Sequence, residues 1–176
     1  RDTLISLRGF IAAERLDEAR SILTNFARLE DRGTLPNMLH GEDTADRETS
    51  DASLWFGVAC ADFMAKEKSN ALLGIECGGR TIRDVLFSIG SHYRDGSANG
   101  VHMDVASGLI FSPSHFTWMD TNDPPCTPRE GYPIEIQALW HAHLRLLASL
   151  DGNGPWKSLA DSVRQSVQTI YRSPEE

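Results

Sequence analysis

Thr117-Trp118-Met119-Asp120, a proline-rich turn ending in Thr127-Pro128-Arg129, and then Pro133-Ile134-Glu135-Ile136-Gln137-Ala138-Leu139-Trp140 make up the stretch that decides how this chain is organised. Pro124, Pro125 and Pro128 fix φ and cannot continue a helix, so Asp120 is expected on a stiffened connection. Pro133 then opens a helix. Glu135 falls in its first turn, where unpaired amides and the helix dipole favour a negative charge. Two carboxylates, a guanidinium and an indole on so irregular a connection are not core filling. A long irregular loop among alternating helices fits a piece of an (α/α) toroid better than a four-helix bundle.

The residue types on this loop match the chemistry of sugars. Pyranose faces are apolar, their rims are hydroxyls, and glycosidic cleavage needs an acid and a base. Two readings of Arg129 and Glu135 stand side by side. Arg129 either forks onto a carboxylate or binds a hydroxyl, and Glu135 either serves a ligand or caps its helix with Arg129 as a structural partner.

Outward from this stretch, the apolar spacing predicts further helices. Positions 4, 7 and 11 give a helix from Thr3 to about Ala13, with Asp2 or Thr3 as N-cap. Leu16, Ala19, Ile22, Leu23 and Phe26 give an amphipathic helix over Leu16–Leu29. Asp31-Arg32-Gly33 ends that helix, Leu35-Pro36-Asn37 reads as an extended turn, and the segment from His40 to Ser50 as a loop. Ser50 or Asp51 caps a helix running to about Lys66, with Trp55, Val58, Ala59 and Asp62 along one stripe. A fourth helix is expected at about Thr81 to Tyr93. Beyond it the alternation Val101, Met103, Val105 suggests a short hairpin edge. Ile136, Leu139, Trp140, His143, Leu147 and Leu150 define a long helix, and Pro155 opens a last one carrying Trp156, Leu159, Val163, Val167 and Ile170. Six or seven helices with almost no strand make the chain all-α. His141 and His143 are two apart and face different ways, so they are not the i, i+4 metal pair of a helical zinc site.

The central motifs, quoted above, resemble the signature run of the glucosidase domain of glycogen debranching enzymes (amylo-α-1,6-glucosidase). Arg1-Asp2-Thr3-Leu4-Ile5-Ser6-Leu7 is similar to that family's Trp-Gly-Arg-Asp-Thr run, cut off at its start. Gly33-Thr34-Leu35-Pro36-Asn37 and Thr49-Ser50-Asp51-Ala52-Ser53-Leu54-Trp55-Phe56 resemble its next two blocks in the family's order. The family's Tyr-Asn pair is replaced here by Arg47-Glu48, and Asn122 stands where a Lys often follows Trp-Met-Asp.

The resemblance implies an (α/α)6 toroid of the six-hairpin glycosidase type, with this chain supplying roughly half of the barrel as one partial domain. It implies hydrolysis, with inversion, of the α-1,6-linked glucose at a trimmed branch of glycogen or a branched α-glucan, without a cofactor. Asp120 would be the general acid, with its pKa raised by burial or a nearby carboxylate. The family's base lies further downstream than this chain extends. Glu135 is a stand-in for it, or a carboxylate that orients hydroxyls. Arg1 and Asp2 at the inner mouth, with Asn37, Asp51, Trp55, Asp104, Trp118 and Arg129, are the expected substrate-binding residues, and His102 is placed beside Asp104. Two other readings remain: a catalytically silent sugar-binding toroid, and another toroid glycosidase such as a trehalase-like or glycan-trimming α-glucosidase.

Composition is compatible with these readings. At 176 residues, 40% of them hydrophobic and 24% charged, the chain suits one domain with a real core. It has no apolar run near the roughly 18 residues of a membrane span. A net charge of −8, with Lys and Arg scattered, disfavours nucleic acid and is compatible with a neutral ligand. Cys60, Cys77 and Cys126 are odd in number and lack Cys-x-x-Cys spacing, which fits a reducing cytoplasm. The chain opens on Arg1 without a methionine, so its natural N-terminus is expected upstream.

Overall fold

A computed structural model describes residues 1–38, 46–121 and 127–172. The expectations for Pro124, Pro125, Asn122 and Cys126, and for most of the loop after His40, lie outside the described residues.

The helices fall where the apolar spacing puts them: α1 (Asp2–Ala12), α2 (Leu16–Leu29), α3 (Ala52–Glu67), α4 (Ile82–Asp95), α5 (Ile134–Leu150) and α6 (Trp156–Ile170). A 3₁₀ turn at Ala71–Gly74 precedes α4. A small hairpin, β1 (His102–Met103) and β2 (Ile110–Phe111), pairs His102 with Phe111 and Met103 with Ile110. Thr81 and Asp84 form a reciprocal capping box that starts α4. α1 is capped at Arg1 rather than at Asp2 or Thr3, and no side chain bonds its first amides.

The packing order identifies the architecture. α1 packs on α3 and α3 on α5, so the odd helices form one layer in chain order; α2, α4 and α6 lie against them as a second layer. Three successive helical hairpins in two layers are the repeating unit of an (α/α) toroid. α3, in the middle, is apolar nearly all round, with Ala52, Leu54, Phe56, Ala59, Cys60 and Phe63 buried. The expected stripe through Trp55, Val58, Ala59 and Asp62 is therefore corrected. Neighbours on several sides cover the 52/56/59/63 positions, leaving Trp55, Val58 and Asp62 only half-buried.

Two contacts bring the second half of the chain onto this frame. Trp140 is fully buried, stacks on Tyr93 with ring centroids 5.9 Å apart and donates its indole N–H to the Gly108 carbonyl. The side chain of Gln137 is a second clamp: it accepts from the Ile110 amide at 2.7 Å and donates to the Ile110 carbonyl at 2.9 Å. The hairpin is thereby fixed against α5. Ser112 and Gly131 pair across the two ends of the central connection, so its base is closed.

Candidate functional site

The first turns of α1, α3 and α5 carry Asp2, Trp55 and Glu135, with Arg1 and Asp51 capping the first two. The candidate residues thus gather at the N-terminal end of the odd-numbered layer, where helix dipoles present partial positive charge. The connection holding Trp118 and Asp120 leads into the same end.

Two cavities open there. One, of about 360 Å³, is lined by Ile5, Asp51, Trp55, Trp118, Glu135, Ala138 and Leu139. Its walls are mostly apolar, with two indoles and two carboxyl groups. The other, of about 270 Å³, is lined by Arg1, Asp2, Thr3, Phe26, Pro36, Asn37, Met38 and Asp120. The four residues singled out on the central stretch are divided: Trp118 and Glu135 line the first cavity, Asp120 lines the second, and Arg129 lines neither.

Arg1 ties the two together. Its guanidinium pairs with Asp120 at 3.0 Å and donates to the buried Thr117 carbonyl at 3.1 Å. Burial works against its charge, but the Asp51 and Asp120 carboxylates outweigh that and hold it above the ordinary arginine value. Its Nε lies 3.3 Å from Asp2, whose side chain is otherwise exposed. Asn37 enters by its backbone: its carbonyl accepts from the Arg1 amino group at 3.0 Å, and its amide donates to Asp46.

Asp51 is almost fully buried. It stands at the N-cap of α3 without bonding the helix amides by its side chain. Its carboxyl oxygen instead accepts from the Thr49 hydroxyl at 2.7 Å. Burial pushes the Asp51 carboxyl up, against the opposing pull of that hydrogen bond and of Arg1.

Arg129 donates from a single nitrogen to both oxygens of Glu135, not through the two-nitrogen fork considered from sequence. Its backbone has φ of 52°, in the left-handed region, and its buried Nε has no hydrogen-bond partner among the described residues. The structural reading of the Arg129–Glu135 pair is thus present, while Glu135 still faces the cavity.

Asp104 is not brought to this group. Its carboxylate accepts from the Ser107 amide and hydroxyl, closing the hairpin turn, and those bonds hold it below the usual carboxylate range. His102 stacks on Phe111 beside it. Arg47, one of the two replacements in the family's block, has a structural role: it donates to the Thr34 carbonyl and hydroxyl and to the Leu29 carbonyl.

Sequence reading missed Thr49 and the aliphatic wall of Ile5, Ala138 and Leu139. Ile5 had a signal: it is an apolar residue off the 4, 7, 11 stripe, 37% exposed because it faces the cavity instead of the core. Among the described residues no cluster of His, Cys, Asp and Glu could hold a metal ion, and no helix is long and apolar enough to cross a membrane.

The order of motifs, the layered hairpins and a carboxyl- and indole-lined opening at their N-terminal end agree with one comparison. The sequence matches the family described as amylo-alpha-1,6-glucosidase over residues 1–176, the whole chain. The chain therefore belongs to the amylo-alpha-1,6-glucosidase family, whose members carry a glycosidase domain of the glycogen-debranching type.

Proposed function

We propose that residues 1–176 form part of one (α/α) barrel glycosidase domain that hydrolyses the α-1,6-linked glucose left at a trimmed glycogen branch, with inversion. The observation that carries this reading is the pairing of Trp55 and Trp118 with Asp51 and Glu135 around one cavity. Indoles offer apolar faces to the sugar ring and carboxyls bond its rim. Asp120 is the general acid in this reading; its ion pair with Arg1 uses the carboxylate form, so it must part from Arg1 and take up a proton from solvent before it can protonate a leaving oxygen. Glu135, anchored by Arg129, orients hydroxyls. Arg1, Asp2 and Asn37 bind the terminal glucose, and the base that activates water is supplied downstream.

Turnover is accordingly expected from the complete protein and not from residues 1–176 alone. A branched dextrin trimmed to single α-1,6-glucosyl stubs should yield free glucose, observed first as the β anomer by proton NMR. Appearance of the α anomer first would overturn inversion. Absence of glucose, with sugar binding retained, would favour the silent sugar-binding reading.

A further inference from the structure

Three walls of the 360 Å³ cavity come from separate stretches of chain: Asp51 and Trp55 from the start of α3, Trp118 from the central connection, and Glu135 from the first turn of α5. One buried pair of hydroxyls joins these stretches. Ser50, next to Asp51, and Ser112, at the start of the central connection, are both fully buried, and their hydroxyl oxygens lie 2.8 Å apart. Ser112 also pairs with Gly131 through both backbone groups, at 2.7 and 3.0 Å, which fixes the entry to α5. Phe116, two residues before Trp118, offers its carbonyl to Ser50 twice, accepting from the amide at 2.8 Å and from the hydroxyl at 3.1 Å. Behind them the Ser50 carbonyl accepts from the Tyr93 hydroxyl at 3.0 Å, and that ring stacks on Trp140 of α5.

Proton counting gives the direction of each bond. A hydroxyl has one hydrogen and a carbonyl has none. The Ser50 hydrogen therefore goes to Phe116, and the contact between the two serines is donated by Ser112, whose other acceptor, the Pro113 carbonyl, is farther away at 3.4 Å. Both lone pairs of the Phe116 carbonyl are then in use, so the backbone leading to Trp118 is fixed in orientation as well as in place. Buried hydroxyls are costly without partners, and these two are satisfied only while the stretches stay in register. Trp118 itself is 60% exposed, so its position is set by that backbone and not by packing around the indole.

We infer that Ser50 is a positioning residue of the sugar site: its hydroxyl, held between Ser112 and Phe116, fixes the gap across which Asp51 and Trp55 face Trp118 before any ligand arrives.

This inference rests on the sugar-site reading of the cavity, and the measurements separate the two. Ser50→Ala removes one hydroxyl and leaves that of Ser112 without its close partner, so urea stability should fall and isomaltose affinity should fall about fivefold. Adding Ser112→Ala removes the stranded hydroxyl. The double variant should regain stability relative to Ser50→Ala while its isomaltose binding stays as weak, because the tether is still missing. Binding that recovers together with stability, or a loss in Ser50→Ala smaller than about twofold, would overturn the positioning role. Should Ser50→Ala fail to fold, the affinity of the double variant decides by the same thresholds. A readout without sugar comes from fluorine NMR of the protein labelled with fluorotryptophan. The Trp118 resonance, identified by its loss in Trp118→Phe, should shift or split in the double variant, while that of Trp156, away from the cavity, stays in place. An unmoved Trp118 resonance would overturn the inference. If the wild type binds no isomaltose, the sugar-site reading fails, and the fluorine spectrum still decides whether Ser50 places Trp118.

Discussion

Trp118 is the clearest separation of function from stability at the scale of one residue. It is 60% exposed, yet it lines the cavity opposite Trp55. Large exposed aromatics are costly to leave in water, and a sugar face is a natural cover for one. Trp118→Ala should weaken isomaltose binding about tenfold, or ~1.4 kcal/mol, by calorimetry. Unfolding in urea should change by less than about 0.5 kcal/mol, as for surface substitutions away from buried features. The residue types of the site were legible in the sequence because Trp118, Asp120, Glu135 and Arg129 stand on a stretch that core packing does not explain. Their division between two cavities was not legible, since it depends on where α1 places Arg1. The partnership of Thr49 with Asp51 was equally hidden, because a threonine two residues before an acid reads as an ordinary cap.

The contact between α3 and α5 makes the clearest predictions for elements. Gly57 faces His143 so closely that an added Cβ would lie 2.3 Å from Nδ1. The His143 ring is fully enclosed, with no room to move away cheaply. Gly57→Ala should therefore destabilise by about 1–3 kcal/mol in denaturant unfolding, the range typical of overpacking. His143 bonds the Leu86 carbonyl through Nε2 at 3.1 Å, which makes that nitrogen the donor and leaves a bare Nδ1 against the glycine. Burial lowers the His143 pKa to about 4, with the Leu86 bond opposing. The native state thus refuses a proton that the unfolded chain accepts near pH 6.5. Its contribution is intact above pH 6.5 and is lost as pH falls toward 4, by roughly 3 kcal/mol in all at about 1.4 kcal/mol per unit. Urea midpoints measured between pH 7 and pH 4 should show this loss, and His143→Gln should flatten it. Helix positions followed from apolar period, as at Leu16–Leu29, which matches α2 at both ends. The orientation of α3 did not, because an element buried on most sides has no single stripe to read.

For the whole molecule, three helical hairpins carry the candidate site residues at one end of one layer, on the first turns of α1 and α5 and the cap and first turn of α3. In the barrel proposed above, that common end is the mouth. Asp104, which the family pattern placed among the binding residues, instead closes its own turn with Ser107. The central claim is that Asp120 delivers a proton to the leaving oxygen. It is tested most directly by turnover of Asp120→Asn in the complete protein on two substrates: a trimmed branched dextrin, whose leaving group needs protonation, and α-glucosyl fluoride, whose leaving group does not. General acid catalysis is typically worth about 10²–10⁴-fold. Dextrin turnover should fall by that factor with affinity nearly unchanged, and fluoride turnover should fall far less. Equal losses on the two substrates, or a loss of affinity with turnover intact, would contradict the assignment of Asp120 as the acid.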